Sequence, residues 1–104
     1  MDFGDILENK IKIIEKIDEE SYFLLKGNFL HIIKTQNGSR ILQKSLNKTN
    51  YDIISCIFFE IQEFLHELMV DSYANYFCQR FYDFVDFKEK VIFLLKVIIR
   101  LMLD

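Results

Sequence analysis

The 104-residue chain has no tryptophan, no proline, only three glycines and only two cysteines. Without proline and with so little glycine, the sequence has few ways to break a helix or close a tight hairpin, so an all-α fold is expected. Cys56 and Cys78 show neither C-x-x-C nor zinc-ligand spacing. They read as two buried thiols in a reducing compartment. A long apolar run is also missing. The most apolar segment, residues 91–103, is interrupted by Lys96 and Arg100 and is shorter than the roughly 20 residues that span a bilayer. Residues 1–5 lack the positive region and apolar run of a signal peptide. These features predict a protein with no membrane partner, located in the cytoplasm. An excess of positive charge is absent too: the net charge is −3, whereas proteins that grip duplex phosphates are usually basic. No nucleophile–base set, paired-carboxylate motif or glycine-rich phosphate loop stands out. His31 and His66 share no ligand spacing with a cysteine or carboxylate. The chain therefore reads as a non-enzyme that calls for no cofactor and no metal.

What is present is a large apolar content, 51% of residues, rich in phenylalanine (11) and tyrosine (5). That suffices for one folded domain with an aromatic core. Charge is uneven. Asp2, Asp5, Glu8, Glu15, Asp18, Glu19 and Glu20 crowd the start, while Lys34, Arg40, Lys44, Lys48 and Arg80 lie further on.

Along the chain, Ile6, Leu7, Ile11, Ile13, Ile14 and Ile17 alternate with charges at helical spacing. Residues 1–27 are expected to form an N-terminal capping helix region, with Asp18-Glu19-Glu20 as an acidic turn. Gly27-Asn28 marks a break. Phe29, Leu30, Ile32 and Ile33 predict a short helix ending near Thr35, Asn37-Gly38 a turn, and Ser39 to about Leu46 a second helix. Thr49 or Asn50 can cap a third, from Tyr51 to Ile61. The plan then recurs: a helix through Phe64, Leu65, Leu68 and Met69, one capped by Asp71 or Ser72 and running to about Phe84, and one capped by Asp86 and running to Ile98 or beyond. Leu101-Met102-Leu103-Asp104 echoes Leu68-Met69-Val70-Asp71. The expected division is repeat 1 at 28–62, repeat 2 at 63–98 and the start of a third repeat at 99–104. A repeat buries its apolar face only against a neighbour. The apolar residues from Val91 to Leu103, Phe93 among them, are therefore expected to lie open to a protein partner or a second copy.

Two stretches organise this plan: Gly38-Ser39-Arg40-Ile41-Leu42-Gln43 and Ala74-Asn75-Tyr76-Phe77-Cys78-Gln79. The second lies 36 positions after the first, counted from Ser39 to Asn75 or from Gln43 to Gln79, a period typical of repeat proteins. On a helix, positions i and i+4 project together and i+1 sits on the flank. Ser39 and Gln43 thus stand beside Arg40, and Asn75 and Gln79 beside Tyr76. Each set is a base-sized polar pair next to a planar side chain. The Asn75 and Gln79 amides can match the acceptor–donor–acceptor edge of an unpaired uracil. Gln43 can meet the acceptor and amino group of adenine, with the small Ser39 leaving room. Arg40 and Tyr76 offer surfaces for stacking. Lys44 and Arg80, each directly after its glutamine, are candidates for phosphate contact.

At these residues the chain resembles the Pumilio (PUF) family of RNA-binding repeats, most closely its first two repeats. The resemblance covers residues 28–104. It implies a right-handed α-solenoid of three-helix repeats that binds single-stranded mRNA. In the family's code Ser with Gln reads adenine and Asn with Gln reads uracil, on repeats that run antiparallel to the RNA. The implied target is 5′-UA-3′ at the end of a UGUA-type element in a 3′ UTR, and the implied role is control of translation or decay. Ala74, where glycine is common, and Cys78, where an aliphatic residue is usual, depart from the family pattern without touching the reading positions.

Overall fold

The computed structural model describes residues 16–103, and among these there is no strand. The capping helix region expected over residues 1–27 lies mostly outside the described residues. Asp18 is described: it caps a helix, α1 (Glu19–Leu25), by accepting from the Ser21 amide at 2.9 Å. Asp18-Glu19-Glu20 is therefore a helix start and not an acidic turn. Two glutamates after a capping aspartate place negative charge at the positive end of the helix dipole.

Repeat 1 follows as α2 (Phe29–Ile33), α3 (Gln36–Ser45) and α4 (Tyr51–Ile61), with a 3₁₀ turn at Leu46–Lys48. After a second 3₁₀ turn at Gln62–Phe64 come α5 (Leu65–Val70), α6 (Ala74–Tyr82) and α7 (Phe87–Leu103). Helix α2 packs on α3 and α4, α5 packs on α6 and α7, and α3 lies against α6. This is the helical-repeat architecture that the period implied. The packing explains helices too short to be stable alone. Helix α2 has five residues, yet Phe29, Ile32 and Ile33 are fully buried. Burying each such side chain is worth about 1.5–3 kcal/mol.

The caps set where each helix starts. Asn50 Oδ1 accepts from the Ile53 amide at 3.0 Å to begin α4. Asp71 Oδ2 accepts from the Tyr73 and Ala74 amides at 3.0 and 2.8 Å ahead of α6. At α7, Asp86 Oδ1 accepts from the Glu89 amide and Glu89 Oε1 accepts from the Asp86 amide, a reciprocal capping box.

The structure differs from the sequence reading at Asn37-Gly38, which lie inside α3 and not in a turn. The cap is Thr35, whose Oγ1 accepts from the Gly38 amide at 3.0 Å. Glycine is needed there for space. A Cβ on Gly38 would come within 2.2 Å of the Ile32 carbonyl oxygen, so α2 and α3 can meet only without one. Gly27, at φ +83°, makes the left-handed turn before α2. Its amide and that of Phe29 donate to the two oxygens of Glu60, at 2.7 and 2.9 Å. One carboxylate on α4 thereby fixes the entry to repeat 1.

Two further expectations need correction. Cys78 is buried but Cys56 is exposed on α4. Burial pushes the Cys78 thiol up to about 12. Phe93 belongs to the core, edge-on to Tyr82 with centroids 5.4 Å apart. Val91, Leu94, Leu95, Ile98, Ile99, Leu101, Met102 and Leu103 are exposed. No helix among the described residues is long and apolar enough to cross a membrane.

Candidate functional site

Helices α3 and α6, which carry the two polar sets, lie in contact. Between them lies an open groove of about 500 Å³ lined by Gln36, Ser39, Arg40 and Gln43 from α3, by Ser72 and Tyr73 just before α6, and by Tyr76 within it. Arg40 and Tyr76, one from each helix, are both exposed, Tyr76 at 61%. The groove is a slot with a guanidinium and a phenol ring available to a flat ligand. Such side chains hold unpaired bases by stacking, worth about 1–3 kcal/mol per base.

The glutamines differ in setting. Gln43 is half-buried and Gln79 exposed. Each donates from Nε2 to the polar residue four positions earlier: Gln43 to Ser39 Oγ at 3.0 Å, and Gln79 to Asn75 Oδ1 at 3.3 Å. Ser39 is only 3% exposed, and its hydroxyl donates to the Tyr73 carbonyl at 2.9 Å. Asn75 donates from Nδ2 to the Asp71 and Ser72 carbonyls at 2.7 and 3.2 Å. The groove thus gathers Ser39, Arg40, Gln43 and Tyr76, while Asn75 and Gln79 lie outside its lining.

The two basic candidates also diverge. Lys44 is exposed in the last turn of α3. Arg80 donates to Asn47 Oδ1 at 3.2 Å and lies over the Phe84 ring, 5.4 Å from its centroid. Arg80 is thus braced across the repeat boundary.

Sequence reasoning missed Gln36, Ser72 and Tyr73 as groove residues. A signal existed for two of them. Gln36 and Ser72 are themselves one repeat length apart, each three residues before the first polar position of its set. Tyr73 contributes a backbone carbonyl, which no side-chain pattern reveals. No group of three or more His, Cys, Asp or Glu among the described residues could hold a metal ion.

The sequence profile of the Pumilio-family RNA binding repeat matches residues 28–62 and 65–99. A Pumilio domain-containing protein of Schizosaccharomyces pombe is 40% identical over 63 residues, covering 61% of this chain and 9% of the relative. A second from the same yeast is 30% identical over 91 residues, covering 86% and 12%. Pumilio homolog 1 of Xenopus laevis is 30% identical over 67 residues, covering 64% and 6%. The chain spans about a tenth of the length of the curated relatives it matches. No solved structure gives a significant match. With two consecutive repeats matched across most of its length, the chain belongs to the Pumilio family of RNA-binding repeat proteins.

Proposed function

We propose that the surface shared by α3 and α6 binds single-stranded RNA and reads two neighbouring bases. Repeat 1 (28–62) reads adenine through the Ser39–Gln43 pair. Repeat 2 (63–98) reads uracil through Asn75 and Gln79. Residues 99–104 begin a third repeat. The observation that carries this reading is the slot between Arg40 and Tyr76 with the Gln43 amide in its lining. A base inserted there stacks on planar groups and meets a donor and an acceptor at its edge. Lys44 is placed to neutralise a passing phosphate, and Arg80 supports the second helix from its place beside Asn47. Base edges rather than phosphates dominate such a site, which suits a protein of net charge −3. By analogy with the family, the ligand is a UGUA-type element in an mRNA 3′ UTR, and the role is cytoplasmic control of translation or decay.

Fluorescence anisotropy with short RNAs ending in UA tests this. Asn75→Ala with Gln79→Ala should weaken binding by roughly ten- to thirtyfold, the worth of two hydrogen bonds, at unchanged helicity. Asn75→Ser with Gln79→Glu should move the preference at that base from uracil toward guanine. The exposed apolar residues of α7 favour a second reading, in which this face docks on a protein or a second copy and RNA binding is slight. Absence of RNA binding at low salt, together with oligomers in sedimentation at micromolar concentration, would select that reading instead.

A further inference from the structure

Ser39 is the most enclosed of the polar residues in the two sets, and its one hydroxyl proton is already committed. It donates to the Tyr73 carbonyl, which belongs to the next repeat. A hydroxyl that has given its proton can only accept from any further partner. The group that faces it is the Gln43 amide, 3.0 Å away. Gln43 must therefore turn its NH₂ toward Ser39, because the opposite flip would set its carbonyl oxygen against an oxygen with no proton to give. One N–H is used in this bond. The second N–H and the carbonyl oxygen remain for a base edge.

Repeat 2 solves the same problem locally. The Asn75 NH₂ is taken by the Asp71 and Ser72 carbonyls of its own helix entry, so its oxygen faces Gln79. Both glutamines are oriented by an acceptor whose donor has been consumed. In repeat 1 the consuming group lies across the repeat boundary. In repeat 2 it lies within the repeat.

Resting on the base-reading function proposed above, we infer that Ser39 is a positioning residue that sets the flip of the Gln43 amide from the backbone of repeat 2, and that it acts on adenine only through Gln43. The orientation of Gln43 consequently depends on α6 being docked beside α3, whereas that of Gln79 does not depend on α3.

The test compares Ser39→Ala, Gln43→Ala and the double variant. In the free protein, side-chain amide NMR should show the Gln43 NH₂ pair shifted and its two protons drawn together in Ser39→Ala, with the Gln79 pair unmoved. Unchanged Gln43 signals would overturn the inference whether or not RNA binds. With RNA, Ser39→Ala should lower the preference for adenine over other bases at the repeat 1 site roughly fivefold, the worth of one hydrogen bond. Adding Gln43→Ala to Ser39→Ala should leave the same preference as Gln43→Ala alone. Losses that multiply would mean that Ser39 touches the base itself, which overturns the inference. Ser39→Cys fills the same space with a weak donor and acceptor and reads out in the same way. Failure of the wild-type chain to bind any RNA would remove the base-reading function, while the amide signals would still decide what holds Gln43.

Discussion

Repeat 1 and repeat 2 reach the same helix arrangement by different local chemistry. Where α2 meets α3, repeat 1 has Thr35 as cap and Gly38 under the Ile32 carbonyl; the matching positions of repeat 2 are Asp71 and Ala74. At the start of the third helix, repeat 1 pairs an Asn50 cap with a buried Ile53, while repeat 2 has the Asp86–Glu89 box. Glu89 is only 8% exposed and is satisfied by Ser55 at 2.7 Å, by Tyr51 at 3.3 Å and by the Asp86 amide. Two of those donors come from α4. The apolar contact of one repeat becomes, in the next, a polar network joined to its predecessor. The period constrains where backbone groups and apolar volumes must lie, and it leaves open which chemistry satisfies them.

The largest effect should come from exchanging the residues at the first difference. Gly38→Ala should cost about 3 kcal/mol, because the added carbon meets backbone oxygen and α2 must move. Ala74→Gly at the matching site should cost less, about 2 kcal/mol, the helix-propensity difference plus one buried methyl. Urea denaturation of both variants measures the contrast, and equal losses would show that the two junctions are equally close-packed.

Next comes the polar network. Glu89→Ala leaves Ser55 and the Asp86 amide without their acceptor and should destabilise by about 1–3 kcal/mol. Restoring the repeat 1 chemistry with Glu89→Ile should not recover this loss, since the donors on α4 remain. Full recovery in a denaturant titration would contradict the idea that repeat 2 depends on its predecessor for that carboxylate.

The smallest effect is in pH dependence. The Tyr51 hydroxyl donates to the Asp86 carboxylate. This bond holds Asp86 below its ordinary 3.8 and, chiefly through the same contact, pushes the Tyr51 phenol up to about 12. Asp86 therefore contributes stability that is present above pH 3.8 and fades as the pH falls through its lowered value. Tyr51 contributes stability that is present below pH 10 and fades between 10 and about 12. Tyr51→Phe should flatten the denaturation midpoint in both windows. A profile parallel to wild type would mean that the contact is not kept in solution.

Much of this arrangement was legible in the sequence, because short polar residues at helix starts and apolar residues at helical spacing are local signals. Asn50, Asp71 and Asp86 announced their caps in that way. Asn37-Gly38 misled because the same dipeptide that permits a turn also permits two helices to touch, and only the position of the Ile32 carbonyl distinguishes the cases. The polar character of Ser39 suggested a surface residue, yet a backbone carbonyl 34 residues later covers it. The exposure of Cys56 was likewise hidden, since it depends on which face of α4 the neighbouring helices leave bare. At Gly38 and Ser39 the hidden partner was a main-chain carbonyl, which no side-chain pattern announces.

The entry to each repeat is tied to that repeat's third helix by different chemistry. At the first, Glu60 receives the amides of Gly27 and Phe29. One period later the matching position is Lys96, which meets Glu63 at 2.6 Å. Exchanging only the third helices, α4 and α7, between the repeats would set an ammonium against two amide donors at one entry and a carboxylate against a carboxylate at the other. Each entry is thus matched to the third helix of its own repeat, and anyone rebuilding a repeat must carry that helix along with the entry it holds.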